Sequence, residues 1–144
     1  MERYGRQNMA DRIKIQAKCP ACNKSLMDDQ NPVDNLESIK LLVKIGRKIG
    51  NLYLSQIYGS YNKRFENVDN IQGVIIECSC PHCHVPFPMY YQCECEAPVI
   101  GLGLKVGGVI KVCSRNGCKK HWLEFEDADH AFRLFQTLDE TGLL

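Results

Sequence analysis

The sequence predicts a small β-rich fold of the α+β class, stabilised by bound metal, with cysteine turns at the tips of β-hairpins and one C-terminal α-helix. Three observations predict it. Nine cysteines, mostly in closely spaced pairs, lie within 144 residues. Apolar residues between those pairs alternate at the two-residue period of strands and are punctuated by Gly, Asn and Pro. Only the tail repeats its apolar residues at helical spacing.

The length suits one domain or two small ones packed together. A hydrophobic fraction of 44% and a charged fraction of 24% are ordinary for a globular chain. The longest uncharged apolar run, residues 97–104, falls far short of the roughly 20 residues a membrane helix needs. The first residues contain no apolar stretch of the signal-peptide kind. The expectation is a cytoplasmic chain that meets no membrane. In such a reducing compartment thiols serve as metal ligands more often than as disulfides. An odd number of cysteines also opposes a closed disulfide framework.

The elements follow in order. Residues 1–18 are polar and basic, with a short strand at 13–17, and Cys19-Pro-Ala-Cys22 comes next. Residues 28–37 are rich in turn formers and read as a loop. Ile39, Leu41, Val43 and Ile45 alternate with Lys40 and Lys44, although Leu36, Ile39, Leu42 and Val43 also fit one helical face. Gly46 and Gly50 weaken a helix and suit a hairpin, which gives strand 39–45, turn 46–50 and strand 51–58. A strand at 71–78 leads into Cys78-Ser-Cys80-Pro-His-Cys83. Beyond Cys93-Glu-Cys95, residues 98–113 read as strand, Gly107-Gly108 turn, strand. Cys113-Ser-Arg-Asn-Gly-Cys118 and a strand at 121–125 follow. In the tail, Asp127 or Asp129 caps a helix whose apolar face is Ala128, Ala131, Phe132, Leu134, Phe135 and Leu138. Gly142 suits its end. No long-period repeat is visible beyond the recurring cysteine pairs.

Cys19-Pro-Ala-Cys22 and Cys80-Pro-His-Cys83 carry the strongest chemical signal. A C-x-x-C turn converges two thiolates on one metal, and four thiolates at about 2.3 Å satisfy tetrahedral zinc. Proline presets φ for the turn. Asn23 and His84 follow the second cysteines, where a left-handed residue is expected, and both types tolerate that conformation. CPACN and CPHCH, with weaker support from CEC and CSRNGC, resemble the zinc-ribbon and rubredoxin-like proteins. That resemblance implies paired cysteine knuckles at hairpin tips around one metal. It covers the metal turns and names no activity.

Two zinc ions in four-thiolate sites are therefore expected. The expected pairing is Cys19, Cys22, Cys80 and Cys83 at site one, and Cys93, Cys95, Cys113 and Cys118 at site two. The rival pairing joins the second knuckle to the third and the first to the fourth. Cys78 is left as a small buried hydrophobe on a strand, or as a replacement for Cys80. His82 is expected to point to solvent, and His121 is an alternative ligand at site two. The domain organisation that follows is an N-terminal arm at 1–18, a zinc-ribbon-like module at 19–92 with an inserted hairpin at 39–58, and a second zinc-binding hairpin plus helix at 93–144.

Charge is segregated although the total is only +1. Residues 40–64 carry six bases and no acid, whereas residues 65–96 carry five acids and neither Lys nor Arg. Eight thiolates and two zinc ions would bring the total to about −3. Lys105, Lys111, Arg115, Lys119 and Lys120 then serve to neutralise the anionic centres. Closed four-thiolate sites leave no open position for catalysis, and the sequence holds no nucleophile elbow, phosphate loop or HExxH. The leading expectation is a non-catalytic accessory or small subunit that binds protein partners in a larger complex. One alternative is nucleic-acid binding through Lys40, Lys44, Arg47, Lys48, Lys63 and Arg64 with Tyr53, Tyr58 and Tyr61. Another is rubredoxin-like electron transfer, because a four-cysteine cage also accepts iron.

Overall fold

The computed structural model describes residues 13–124. Ten antiparallel strands lie among them: β1 Ala17–Lys18, β2 Met27–Val33, β3 Leu36–Ile45, β4 Lys48–Leu54, β5 Lys63–Glu66, β6 Glu77–Ser79, β7 Met89–Gln92, β8 Pro98–Leu104, β9 Val109–Cys113 and β10 His121–Glu124. The expected α+β class is thereby corrected to all-β, since no helix occurs among the described residues. Their apolar residues recur at period two and their positive-φ residues fall in turns, so each segment pairs as a strand. The helix expected in the tail lies outside the described residues, as does the N-terminal arm up to residue 12. No described helix is long and apolar enough to cross a membrane.

The strands form two five-stranded sheets, one ordered β2-β3-β4-β5 with β6 also on β3, the other β1-β8-β9-β10 with β7 also on β8. β2 and β6 share one edge of β3, and β1 and β7 share one edge of β8. The two sheets are built alike, and each borrows a strand from the other's stretch of chain. β1 leads into the first cysteine turn but pairs with β8, whereas β6 leads into the second and pairs with β3. The exchange is reciprocal: Ala17 faces Leu104 as Cys78 faces Val43, and Lys18 faces Gly103 as Ser79 faces Leu42. This is how a two-fold axis relates contacts between identical partners.

Backbone bonds outside the strands repeat the relation. Ile15 N–H donates to Gln56 O and Ile76 N–H to Ser114 O; Ser55 N–H donates to Asn62 O and Cys113 N–H to Lys120 O. Ser60 N–H donates to Ile57 O as Cys118 N–H does to Arg115 O. Residues from 13 to 66 and from 74 to 124 are thus two copies of one topology.

The hydrophobic core spans both sheets and includes Ile15, Leu26, Leu41, Leu52, Leu102, Leu104 and Ile110. Tyr53 is also buried, its hydroxyl donating to Glu66 at 2.8 Å. Burial, and then that bond, push its pKa up to about 12.

Three strands lie where no strand was expected. β2 occupies the expected loop, because pairing to β3 overrides its turn-rich sequence; the register shifts between Asp28 and Val33. β5 completes the first sheet, and β7 is short and edge-bound. In the other direction, 55–58 and most of 71–78 do not pair as strands.

Gly50 on β4 packs so closely on β5 that a Cβ there would overlap the Glu66 carbonyl. We predict that Gly50→Ala destabilises the fold by about 2 kcal/mol through overpacking, read as a lower urea midpoint at unchanged slope.

Candidate metal centres

Each of the first two cysteine turns is held by the same bonds. Cys19 N–H donates to Lys24 O at 2.9 Å and Asn23 N–H to Cys19 O at 2.8 Å. In the second turn, Cys80 N–H donates to Val85 O at 3.1 Å and His84 N–H to Cys80 O at 2.9 Å. Asn23 and His84 have φ of 64° and 63°, the left-handed conformation that closes the turn. The amides of Ala21 and His82 donate to the Cys19 and Cys80 sulfurs, both at 3.3 Å.

The reciprocal strand exchange brings these turns together. Cys19, Cys22, Cys80 and Cys83 place their sulfurs within 4.8 Å of one another. The Cys19–Cys83 and Cys22–Cys80 sulfurs are each 3.8 Å apart. A tetrahedron with metal–sulfur bonds of about 2.3 Å has edges of about 3.8 Å, so the donor set fits one ion. Cys19 and Cys80 are almost fully buried. His82 is exposed, yet its Nε2 lies 2.9 Å from Ser25 O, so the ring ties the second turn to the first rather than pointing freely to solvent.

Cys93, Cys95, Cys113 and Cys118 form the second group, again within 4.8 Å. Cys93 and Cys118 sulfurs are 3.8 Å apart and Cys95 and Cys113 sulfurs 3.4 Å apart. The β7–β8 turn supplies the first pair, and the β9–β10 loop the second. The Ala97 amide and the Arg115 guanidinium hold Cys95 down at about 6, whereas burial pushes the Cys113 and Cys118 thiols up. The environment thus favours one thiolate, and a cation is needed for the set to ionise together. Arg115 also donates to the Gly73 and Cys95 carbonyls at 2.8 and 2.9 Å, and Lys120 pairs with Glu94.

Together, these two four-cysteine groups could hold two metal ions. All nine cysteines are free of disulfides. Cys78 joins neither group. It is the counterpart of Ala17 in the other half, packs partly buried against the core, and burial raises its thiol to about 12. His121 lies on β10, its Cα opposite Val112.

The first half builds the corner equivalent to site two without sulfur. Ser55 and Ser60 stand where Cys113 and Cys118 stand, by the backbone bonds given above. Both hydroxyls donate to Asp34 Oδ2 at 2.6 Å, and Asn62 Nδ2 donates to Asp34 Oδ1 at 2.6 Å. This network escaped the sequence reading, although Ser55-Gln-Ile-Tyr-Gly-Ser60 matches the spacing of Cys113-Ser-Arg-Asn-Gly-Cys118, including the glycine. Gly59 and Gly117 both have φ of 95°.

No protein-family model matches the chain, and no curated protein or solved structure is significantly similar to it.

Two predictions follow from this geometry. Cys22→Ser and Cys83→Ser unfold the protein, because site one joins both halves and a bound structural ion contributes on the order of 10 kcal/mol. Native circular dichroism and an unchanged melt in either variant would exclude site one. Asp34→Ala strands the hydroxyls of Ser55 and Ser60 and costs about 3 kcal/mol, with metal content per chain unchanged.

Proposed function

We propose that this is a structural zinc protein of zinc-ribbon type, whose two closed sites hold a rigid β frame that docks a protein partner as an accessory or small subunit. Closure supports the structural role. Each group is complete with four sulfurs, and among the described residues no other His, Cys, Asp or Glu joins either of them. An ion held this way has no open position for water or substrate. Closed cages and a reducing, cytoplasmic setting agree with thiolate-bound zinc.

The single observation that carries the partner role is the exposed edge of β7. β2 and β7 hold equivalent edge positions in the two sheets. β2 carries Asp28, Asp29 and Pro32, the charges and proline that blunt an edge against pairing. β7 has none of these. Its Met89, Tyr90 and Tyr91 are 59%, 46% and 40% exposed. Tyr90 is already fixed, since its ring lies over Gly101 and 4.6 Å from the Lys111 ammonium. A fixed, exposed aromatic is the kind of residue that dominates protein interfaces.

The nucleic-acid alternative has less support. Tyr53 is buried, Arg64 stacks on its ring at 4.6 Å, and Lys48 lies 3.9 Å from Asp69. These groups are engaged within the fold rather than arrayed as a phosphate track. Iron in the same cages is the redox alternative, and metal analysis separates it.

The test is natively purified protein. We expect two zinc per chain, no visible colour, and elution in a complex well above 16.4 kDa. Tyr90→Asp with Met89→Asp releases the chain from that complex while zinc content and melting temperature hold. A chain that elutes alone at its own mass refutes the partner role, and iron with visible charge-transfer bands refutes the zinc role.

A further inference from the structure

Between the two sheets lies a cavity of about 410 Å³. Its walls come as equivalent pairs from the two halves: Ile39 with Ile100, Leu41 with Leu102, and Leu52 with Ile110. All six are buried. The size falls within the range of small-molecule sites, about 300–1,000 Å³, and such sites are mostly apolar with a few placed polar groups.

Apart from the site-two sulfurs of Cys113 and Cys118, the charged side chains among its described lining residues are basic. Among the described residues no Asp or Glu lines the cavity, whereas Lys63, Arg115, Lys119 and Lys120 do. Arg115 and Lys120 are committed to the Cys95 carbonyl and to Glu94. Lys63 and Lys119 remain. Lys63 is half-buried and makes no ion pair among the described residues. Burial, and then the Lys119 ammonium, hold its pKa below the ordinary lysine value. Lys119 lies over the Tyr61 ring, 5.7 Å from its centroid. Simple mispacking between two sheets gives an apolar void. It does not by itself gather ammonium groups beside one.

We propose that this cleft binds a small amphiphilic anion, its apolar body between the paired aliphatic walls and its carboxylate-type head between Lys63 and Lys119. The head would sit beside two ammonium groups in partly desolvated surroundings, where a charge pair is worth more than in water. The body removes apolar wall from water at roughly 25 cal/mol per Å². The site is separate from the partner surface on β7 and does not depend on which metal fills the cysteine cages.

The probe is dodecanoate, with dodecanol as its uncharged counterpart, titrated calorimetrically into the metal-loaded full-length chain. We expect one dodecanoate per chain, bound at least tenfold more tightly than dodecanol. The double substitution Lys63→Met with Lys119→Met removes that preference while metal content and melting temperature stay as in the parent. Three results overturn the proposal: no saturable binding; equal affinity for dodecanol; or a dodecanoate affinity indifferent to both lysines.

Discussion

Four thiolates within 4.8 Å of one another cannot coexist without a cation among them. At site one that constraint organises the molecule, because its sulfurs come from turns in both halves of the chain. The strand before each turn is lodged in the opposite sheet. An ion there would close two crossings together: β1 against β8 and β6 against β3. Without it, each crossing rests on a two- or three-residue strand and on the packing of Ile15, Leu26, Leu102 and their neighbours. A chain of this size has a net stability of the same order as one structural ion, so the ion would decide between a joined frame and two loose sheets.

The second group is different in kind. It lies within one half and ties the β7–β8 turn to the β9–β10 loop. The other half solves the same closure problem with a carboxylate that receives two serine hydroxyls and one amide. A hydrogen-bonded Asp34 and a four-thiolate cage are two ways to satisfy a loop that cannot satisfy itself by strand pairing. The sulfur solution costs nothing in buried hydroxyls but demands a metal and brings negative charge. That charge explains why Arg115 and Lys120 crowd site two, while no cation from an equivalent position crowds Asp34.

The sequence made the chemistry more legible than the architecture. The C-x-x-C turns declared themselves because spacing, Pro20, Pro81, Asn23 and His84 all specify one local geometry, and local geometry is what sequence encodes most directly. Alternation in Ile39, Leu41 and Val43 marked β3 for the same reason. β2 was hidden because Asp28, Asp29, Asn31 and Pro32 favour turns, and only the neighbouring β3 makes them a strand. The duplication was hidden too. The β3–β4 ladder runs longer than the β8–β9 ladder, so equivalent residues lose a constant offset across the hairpin. Cysteine in one copy against serine in the other then conceals the match at the very corner where the pattern is strongest. The expected C-terminal helix shaped the sequence reading toward α+β, whereas the described residues bury their apolar surface in strands throughout.

Duplication also explains how one small chain can separate duties. Two equivalent sheets give two equivalent edges, and an exposed edge invites pairing unless something blunts it. Asp28, Asp29 and Pro32 blunt the first, while Met89 and Tyr91 leave the second open. Nothing in the common topology requires that difference, since both strands pair with their sheets in the same way. Stability alone would favour the charged version at both edges, because exposed Met and Tyr gain nothing from water. Under the proposed function, an apolar edge beside a candidate metal turn, with Tyr90 held over Gly101 and Lys111, is the surface that a partner would bury. The blunted first edge would then leave such a partner only one of the two.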